Sequence, residues 1–426
     1  MSTVYLIDGA RTPFLKARSA PGPFSASDLA TAVGAQLLMR QPFGPEALDQ
    51  VILGCAAPAA DEANIARIVA LRMGCGHKVP AWTPQRNCAS GLQALDSACA
   101  ELRLGRADLI LAGGADALSR TPLLLSEEFV RWLARWRSAK NGRQRLEALW
   151  RFRPASLKPV IGLVQGLTDP VVGQMMGQTA ETLAARFDIS REEMDRYALR
   201  SHACAAEAQA AGYFDEIVPL VGRDGALYAA DDGLRPDSTL ADLARLNPFF
   251  DRKYGNVTAG NSSQVSDGAA WVLLASERAV ERHGLTPLAR IVDCAWAALD
   301  PAQMGLGPVH AAVPLLERNG LSMADIDLWE LNEAFAAQVI ACQRAWDDEE
   351  YCRTELGQEA ALGAPPLERL NVDGGAIALG HPVGATGARL VLHLTDTLLR
   401  QRAKRGVATL CIGGGQGGAM LVEAMQ

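Results

Sequence analysis

The sequence predicts an α/β fold of two similar halves with an inserted loop domain, and three observations lead to this prediction. Cys88 and His381 each stand directly before a helix with one apolar face. Each helix is followed by a short apolar strand that runs into glycines, at 107–114 and at 406–415. Between these repeats, from about 120 to 256, the alternation of strands and helices breaks off. Because a duplicated unit builds two similar halves, the two reactive side chains are expected to meet at their junction.

The first elements follow from the hydrophobic pattern. Val4 to Ile7 predicts a strand, and a helix is expected from Ser27 or Asp28, either of which is a suitable N-cap. Val51 to Gly54 predicts a second strand, and Asn64 to Met73 predicts a second helix. The inward-facing residues of the first helix are Leu29, Val33 and Leu37.

Cys88 has a setting that suits a nucleophile. A helix start offers unpaired backbone N–H groups and the positive end of the macrodipole, so the pKa of Cys88 is expected below the free-cysteine value of about 8.5. The alternative is a buried core cysteine, which is the more frequent case for an isolated cysteine. The apolar stripe of the following helix consists of Leu92, Leu95, Cys99 and Leu102, and the stripe after His381 consists of Leu390, Val391, Leu394 and Leu398.

The inserted segment contains a basic stretch from 129 to 158, which we call the basic segment. Its aromatic residues and leucines recur at helical spacing, which predicts two amphipathic helices around Lys140-Asn141-Gly142. Nine Lys and Arg residues stand there against the single acid Glu147. Two interpretations are open: a hairpin packed on its own protein with a solvated cationic face, or a docking surface for a membrane or a partner.

In the second half, Asp327 to Leu331 predicts a strand that leads to Asn332, a polar residue at the turn before a helix. A second insertion, 344–368, is acidic where the basic segment is cationic. The two insertions either pair with each other or form separate solvated surfaces.

Composition limits the function. The 426 residues suffice for two or three packed units, and 49% apolar with 21% charged residues is typical of a globular protein. A net charge of -7 argues against nucleic acid as a partner. Nine cysteines without paired CxxC spacing argue against a disulfide framework and a structural zinc site, so no metal is expected. No signal-like apolar region, membrane-length apolar stretch or peroxisomal C-terminal tripeptide is recognised, which favours the cytoplasm.

Five sequence blocks resemble those of thiolases, the family that makes or cleaves 3-ketoacyl-CoA through an acyl-cysteine. In chain order they are NCASGLQAL with Cys88, TAGNSSQVSDGAA from Thr258, NEAFAAQ from Asn332, GHPVGATGAR with His381 and CIGGGQGGA with Cys411. The resemblance implies that family's duplicated α-β-α-β-α fold. It divides the chain into an N-terminal half 1–119, to which 257–268 return, a loop domain 120–256 that covers coenzyme A, and a C-terminal half 269–426.

The resemblance also implies catalytic roles. Cys88 is the nucleophile, His381 the base that activates it, and Cys411 the second acid/base, a role that suits a thiol with a near-neutral pKa. Asn332 is expected to hold a water that forms one oxyanion hole with His381 Nε2. The backbone N–H groups of Cys88 and Gly413 are expected to form the other, and the glycine run after Cys411 lets the backbone approach the substrate.

The family pattern assigns the coenzyme A contacts. Leu167 and Met176 line the pantetheine and acyl channel in this pattern. Both could equally be ordinary residues of the apolar core. Arg235 lies near the adenine end, where it stacks on the base, meets phosphate, or forms a surface ion pair. The remaining predicted contacts are Ser263, Ala334 and Phe335.

Acyl-CoA is thus the expected substrate, and no separate cofactor is expected because no ligand cluster or dinucleotide fingerprint occurs. The family also implies a homodimer or homotetramer. Thiolysis is the expected role, with acetoacetyl-CoA synthesis as the alternative. Ketoacyl synthases, which lack a counterpart of Cys411, hydroxymethylglutaryl-CoA synthases, and a non-catalytic lipid-binding or scaffold subunit fit less well. One departure concerns Asn332: thiolases with a comparable long basic loop, similar to β-subunits of fatty-acid-oxidation complexes, usually have histidine there.

Overall fold

The computed structural model describes residues 3–425. Residues 1, 2 and 426, at the ends of the first and last predicted segments, lie outside the described residues. The strands are β1 (Val4–Arg11), β2 (Leu15–Lys16), β3 (Gln50–Gly54), β4 (Ala81–Trp82), β5 (Leu109–Ala117), β6 (Leu123–Leu124), β7 (Val160–Ile161), β8 (Leu220–Val221), β9 (Leu227–Tyr228), β10 (Ser266–Ser276), β11 (Ala289–Ala298), β12 (Leu328–Leu331), β13 (Arg405–Ile412) and β14 (Gln416–Ala424).

The α-helices are α1 (Ala26–Met39), α2 (Ile65–Arg72), α3 (Ser90–Arg103), α4 (Glu127–Ser138), α5 (Gly142–Trp150), α6 (Gly162–Gly166), α7 (Met176–Arg186), α8 (Arg191–Ala210), α9 (Leu240–Ala244), α10 (Glu277–His283), α11 (Gly307–Arg318), α12 (Ala336–Asp347), α13 (Glu349–Glu355), α14 (Ala376–Leu379) and α15 (Val383–Gln401).

The sheet repeats one pattern twice, which confirms the predicted duplication. In the first half β3 runs parallel to β5, and β5, β10 and β1 follow as antiparallel neighbours. In the second half β12 runs parallel to β13, and β13, β14 and β11 follow in the same way. The halves join where β1 pairs with β11, at Tyr5 with Arg290 and Leu6 with Ala289.

Helices α3 and α15 form the central layer, because both pack on each other and α15 also contacts strands of both halves. Every residue of the two predicted apolar stripes is buried in the core cluster around these helices. Helix α1 covers the outer face of the first half and α11 that of the second. This is the predicted α-β-α-β-α order. Each leucine buried in these layers stabilises the fold by about 1.5–3 kcal/mol relative to an exposed one.

Two predicted boundaries are wrong. Helix α1 is capped by Ser25, not by Ser27 or Asp28; Asp28 is instead the third residue of a capping box with Ser25. The division between 268 and 269 falls inside β10, which pairs with β5 from Asp267 to Ala275, so the first half extends through that strand. Gly268 is a strand residue against which Phe14 and Pro382 pack.

The basic segment forms the predicted hairpin of α4 and α5, with Asn141 capping the second helix. No ion pair links it to the acidic insertion among the residues that the structure describes. In the acidic insertion Glu355 pairs with Arg186, so the two insertions form separate surfaces. None of the helices within 3–425 combines the length and apolar character that a membrane span requires.

Candidate active site

Cys88 lies in a tight turn immediately before α3. Asn87 adopts a left-handed backbone conformation with φ 44°, a strained region in which asparagine is tolerated. Its side chain Nδ2 donates to the Gly413 carbonyl oxygen at 2.8 Å. Ser90 Oγ accepts from the Arg86 N–H at 2.9 Å and donates to the Asn87 carbonyl at 2.7 Å. The turn therefore holds Cys88 against the Gly413 loop of the other half.

The expected thiolate is not found in this setting. Burial raises the pKa of the Cys88 thiol above its ordinary value; hydrogen bonds from the Gly413 and Cys88 N–H groups oppose the shift, and the Asp116 carboxylate adds to it. Loss of hydration at the sulfur outweighs the helix-start effect on which the prediction relied. Cys88 is thus a thiol in the free protein, and the predicted role as nucleophile would require a base to remove its proton.

His381 has the properties of that base. Its Nδ1 lies 2.6 Å from Thr386 Oγ1, and the Thr386 hydroxyl donates to the Pro382 carbonyl at 2.8 Å. Because a hydroxyl has one proton, Thr386 must accept from Nδ1–H, which leaves Nε2 as a bare acceptor. Burial, with a smaller contribution from Arg389, lowers the pKa of His381 to about 4, so the imidazole is neutral near pH 7.

Asn332 lies fully buried beside that bare nitrogen. Its Nδ2 is 3.4 Å from His381 Nε2, and its backbone N–H donates to the Thr409 carbonyl at 2.9 Å. Its Oδ1 has no hydrogen-bond partner within the described part of the chain. Asn332 thus offers an amide donor and an acceptor next to the base. The water that it is expected to hold stays a prediction.

Cys411 is fully buried on β13 and lines the same cavity as Cys88 and His381. Burial raises its pKa well above the ordinary value, and the neighbouring Cys88 adds to the shift. The expectation of a near-neutral thiol is therefore wrong for the free protein. A protonated Cys411 is suited to act first as an acid.

Gly413 follows Cys411 in the turn between β13 and β14. Its N–H and that of Cys88 both favour the charged form of the Cys88 sulfur and oppose the rise of its pKa, so the two predicted oxyanion donors act on one position. A methyl group at position 413 would lie 3.2 Å from Met176 Sδ, so Met176 leaves little space for a side chain there.

The cavity has a volume of about 730 Å³ including its mouth. Eight predicted residues line it: Cys88, Leu167, Met176, Ser263, Ala334, Phe335, His381 and Cys411. Met175, Phe250, Gln264 and Met304 also line it and were missed from the sequence. Arg235 does not line it; its side chain is exposed, and its backbone N–H donates to His202 Nδ1 at 3.2 Å.

Two further residues near the site, Thr386 and Asp116, were missed from the sequence. Thr386 lies inside the GHPVGATGAR block, where a polar residue among small ones is a recognisable signal. Asp116 lies at the end of a strand that is buried throughout, and a carboxylate in such a strand is a stronger signal. No group of three or more His, Cys, Asp or Glu side chains suited to a metal ion occurs within 3–425.

Comparison with known proteins accounts for this arrangement. Residues 4–278 match the family "Thiolase, N-terminal domain", and residues 285–424 match "Thiolase, C-terminal domain". The chain belongs to the thiolase family. It is therefore an acyltransferase of that family, and its fold is the expected one.

Relatives of this thiolase span nearly the full chain. The mitochondrial trifunctional enzyme subunit beta of Bos taurus is 38% identical over 99% of this chain and 88% of its own length. A 3-ketoacyl-CoA thiolase of Yersinia pestis is 37% identical over 99% of this chain and 96% of its own. The crystal structure of human mitochondrial 3-ketoacyl-CoA thiolase in complex with CoA superimposes with a TM-score of 0.85 at 36% identity, covering 100% of this chain and 98% of that one.

Proposed function

We propose that this thiolase cleaves 3-ketoacyl-CoA with CoA to acetyl-CoA and an acyl-CoA shortened by two carbons, by way of an acyl-Cys88 intermediate. The observation that supports this reaction is the convergence of Cys88, His381 and Cys411 on one cavity. The names of the relatives support the same reaction, since they include 3-ketoacyl-CoA thiolases.

The first half-reaction breaks the bond between C2 and C3 of the substrate. His381 Nε2 takes the Cys88 proton while the sulfur attacks the C3 carbonyl, whose oxygen accepts from the N–H groups of Cys88 and Gly413. The acetyl-CoA enolate leaves with its oxygen at His381 and Asn332, and Cys411 protonates its carbon. Each donor of such an oxyanion site lowers the barrier by about 2.7–4 kcal/mol.

The second half-reaction transfers the acyl group to CoA. The CoA sulfur attacks the acyl-Cys88 carbonyl and its proton restores Cys411. Cys88 leaves as a thiolate and takes back the proton held by His381, so every group returns to its starting state. The apolar lining, with Leu167, Met176 and Phe335, suits the acyl chain and excludes water that would hydrolyse the thioester.

Mass spectrometry after incubation with acetyl-CoA tests the nucleophile. Acetyl is expected on Cys88 in the wild type and in Cys411→Ala, because acetyl transfer to Cys88 needs no proton transfer at carbon. Cys411→Ala should nevertheless lose thiolysis and condensation. Acetyl on another cysteine, or full activity of Cys88→Ser, would contradict the mechanism.

Synthesis of acetoacetyl-CoA from two acetyl-CoA is the alternative role, because both directions use one site. A further similar structure, the acetyl-CoA acetyltransferase of Bacillus anthracis with a TM-score of 0.84 and 36% identity, supports keeping this alternative. A series of kcat/KM values over ketoacyl chain length separates the two. A rise with chain length supports fatty-acid degradation, and activity confined to acetoacetyl-CoA supports the acetyltransferase.

The reaction as proposed needs no metal or redox cofactor, since Cys88, His381 and Cys411 perform every proton transfer and backbone N–H groups stabilise the oxyanion. Ping-pong kinetics that survive EDTA are expected. Activity abolished by the chelator and restored by zinc or magnesium would refute this.

We also propose a homodimer or homotetramer, as the family resemblance implies, and a cytoplasmic location. Light scattering that finds only monomer at micromolar concentration would refute the oligomer. Fractionation of the source cells tests the location.

The basic segment is proposed to dock on an anionic membrane surface. Apolar residues of its second helix, α5, lie exposed among the cations: Trp150 is 86% exposed, Leu146 60% and Leu149 50%. Trp132 and Trp136 stack on each other within the hairpin, and Trp132 Nε1 donates to the Ala148 carbonyl at 2.8 Å. A cationic rim around exposed apolar side chains matches an anionic bilayer, each basic residue contributing about 1 kcal/mol at low salt.

Flotation with anionic and neutral vesicles at low and high salt tests the docking. Binding to anionic vesicles at low salt is expected. Charge reversal at Arg135, Arg137 and Arg143 should abolish it while thiolysis of acetoacetyl-CoA stays nearly unchanged. No binding to anionic vesicles at low salt refutes the membrane proposal.

A further inference from the structure

Asp116 is a fully buried carboxylate near the site that the proposed reaction does not use. It lies at the end of β5 and accepts four hydrogen bonds. The donors are the N–H groups of Gly384 at 2.5 Å, Ala57 at 2.9 Å and Ala56 at 3.3 Å, and the Cys55 thiol at 3.2 Å. A buried carboxylate is costly unless such donors satisfy it, so its position is fixed on several sides.

The hydrogen bond to Gly384 crosses the junction between the two halves. Asp116, Ala56 and Ala57 belong to the first half, whereas Gly384 lies in the first turn of α15, three residues after His381. The negative carboxylate also lies at the positive end of that helix, which strengthens the contact. Asp116 therefore ties the start of the His381 helix directly to the first half.

The other side of Gly384 is held by backbone packing. A methyl group at Gly114 would overlap the Gly384 carbonyl oxygen, and one at Gly91 would lie 2.7 Å from it. Gly91 is in the first turn of α3, three residues after Cys88. Gly384 is thus confined between its N–H contact with Asp116 and its carbonyl contact with the Cys88 helix.

We propose that Asp116 is a positioning residue that sets the placement of His381 relative to Cys88 through Gly384. Its charge has a second effect on the same pair. Burial is the main cause of the raised pKa of the Cys88 thiol, and the Asp116 carboxylate adds to it. The inference rests on the proposed roles of Cys88 and His381, which the acetylation experiment tests independently.

Asp116→Asn tests the proposal because the amide keeps the shape but loses the charge and one acceptor. We expect kcat for thiolysis to fall on the order of 10- to 100-fold, the usual cost of losing a partner that orients a reactive side chain, with KM nearly unchanged. Alkylation of Cys88 by iodoacetamide should shift to lower pH. Reduced stability with unchanged kcat and an unchanged alkylation profile would show a merely structural role and overturn the proposal.

Asp49→Asn is the matched control. Asp49 accepts from the N–H groups of Asp108 and Leu109 at the opposite end of β5, at 2.7 and 2.9 Å, and within residues 3–425 no hydrogen bond or ion pair joins it to α15. The Asp49→Asn substitution should leave kcat and the pH profile of Cys88 alkylation unchanged.

The Gly384→Ala variant tests the positioning proposal if the Asp116→Asn variant fails to fold. A methyl group there would lie 2.8 Å from Asp116 Oδ2 and 2.9 Å from the Ala115 carbonyl, which forces the turn away while the carboxylate keeps its charge. A loss of kcat without a shift of the alkylation profile is expected. Wild-type kcat in this variant would overturn the proposal.

Discussion

The His381 imidazole depends on one hydroxyl for its tautomer. Thr386 Oγ1 accepts from Nδ1–H, and in Thr386→Val that buried N–H would lose its partner. An unpaired buried donor costs about 1–3 kcal/mol, which favours the tautomer with the proton on Nε2. Since that tautomer cannot take the Cys88 proton, we predict a fall in kcat on the order of 10- to 100-fold. Steady-state thiolysis of acetoacetyl-CoA measures it.

Thr395→Val provides the control for this substitution. Thr395 lies further along the same helix, is equally buried, and donates to the Val391 carbonyl at 2.8 Å as Thr386 does to Pro382. No hydrogen bond joins it to the imidazole in the described part of the chain, so kcat of the Thr395→Val variant should stay at the wild-type value. Equal losses in both variants would mean that Thr386 acts only on the helix.

The cysteines and the histidine that line the cavity could be located from the sequence, but their protonation could not. Cys88 and His381 were recognisable because each precedes an apolar helical stripe, and Cys411 through the resemblance of its CIGGGQGGA block to thiolases. The pKa of each thiol was misjudged, since burial depends on what the other half of the chain packs against the sulfur. The left-handed Asn87 and the hydroxyl partner of His381 are likewise set by contacts that no local pattern specifies.

The contact between α15 and the first half depends on glycines that leave no space. In Gly114→Ala the added methyl group would overlap the Gly384 carbonyl oxygen, so the helix must move. We predict a loss of about 1–3 kcal/mol in the free energy of unfolding, as for other overpacked sites, together with a fall in kcat. Urea denaturation and thiolysis assays measure the two effects.

Gly142→Ala is the corresponding control. Gly142 begins α5 in the basic segment, and an added methyl group would meet nothing within 4 Å. Its stability should be unchanged or slightly higher, because alanine restricts the unfolded chain. If Gly114→Ala also left stability and kcat unchanged, the close contact with Gly384 would not matter.

Strands and helices were largely predictable because their periodicity is local. The stripes of α3 and α15, the helix over 65–72 and the two helices of the basic segment all follow it. The end of the first half was misplaced near Gly268, within β10, because the strands with which β10 pairs, β5 and β1, come from distant parts of the chain. Gly268 itself leaves room for Phe14 and Pro382.

The three parts of the chain share one buried ionic network. Arg11 of β1 pairs with Glu216 at 3.0 Å and Asp231 at 2.7 Å, and both acids come from the loop domain. His393 of α15 lies 3.3 Å from Glu216 and 3.0 Å from Asp373. Burial by itself lowers the pKa of His393, but these carboxylates outweigh it and raise that pKa to about 10. The imidazolium thus joins the loop domain to the C-terminal half.

Because of this network, the free energy of unfolding is expected to fall at alkaline pH. An unfolded histidine has a pKa of about 6.5, so the contribution of His393 is complete below that pH and is lost progressively as the pH rises toward about 10. Over the pH range in which His393 is protonated only in the folded state, the free energy of unfolding falls by about 1.4 kcal/mol per pH unit. We therefore predict that the free energy of unfolding, measured with urea, falls more steeply above neutral pH in the wild type than in His393→Gln.

His310→Gln is the control and should keep the wild-type slope, because burial lowers the pKa of His310 and its imidazole is neutral throughout this range. Parallel curves for wild type and His393→Gln would mean that His393 is neutral in the folded protein and does not hold the loop domain by its charge.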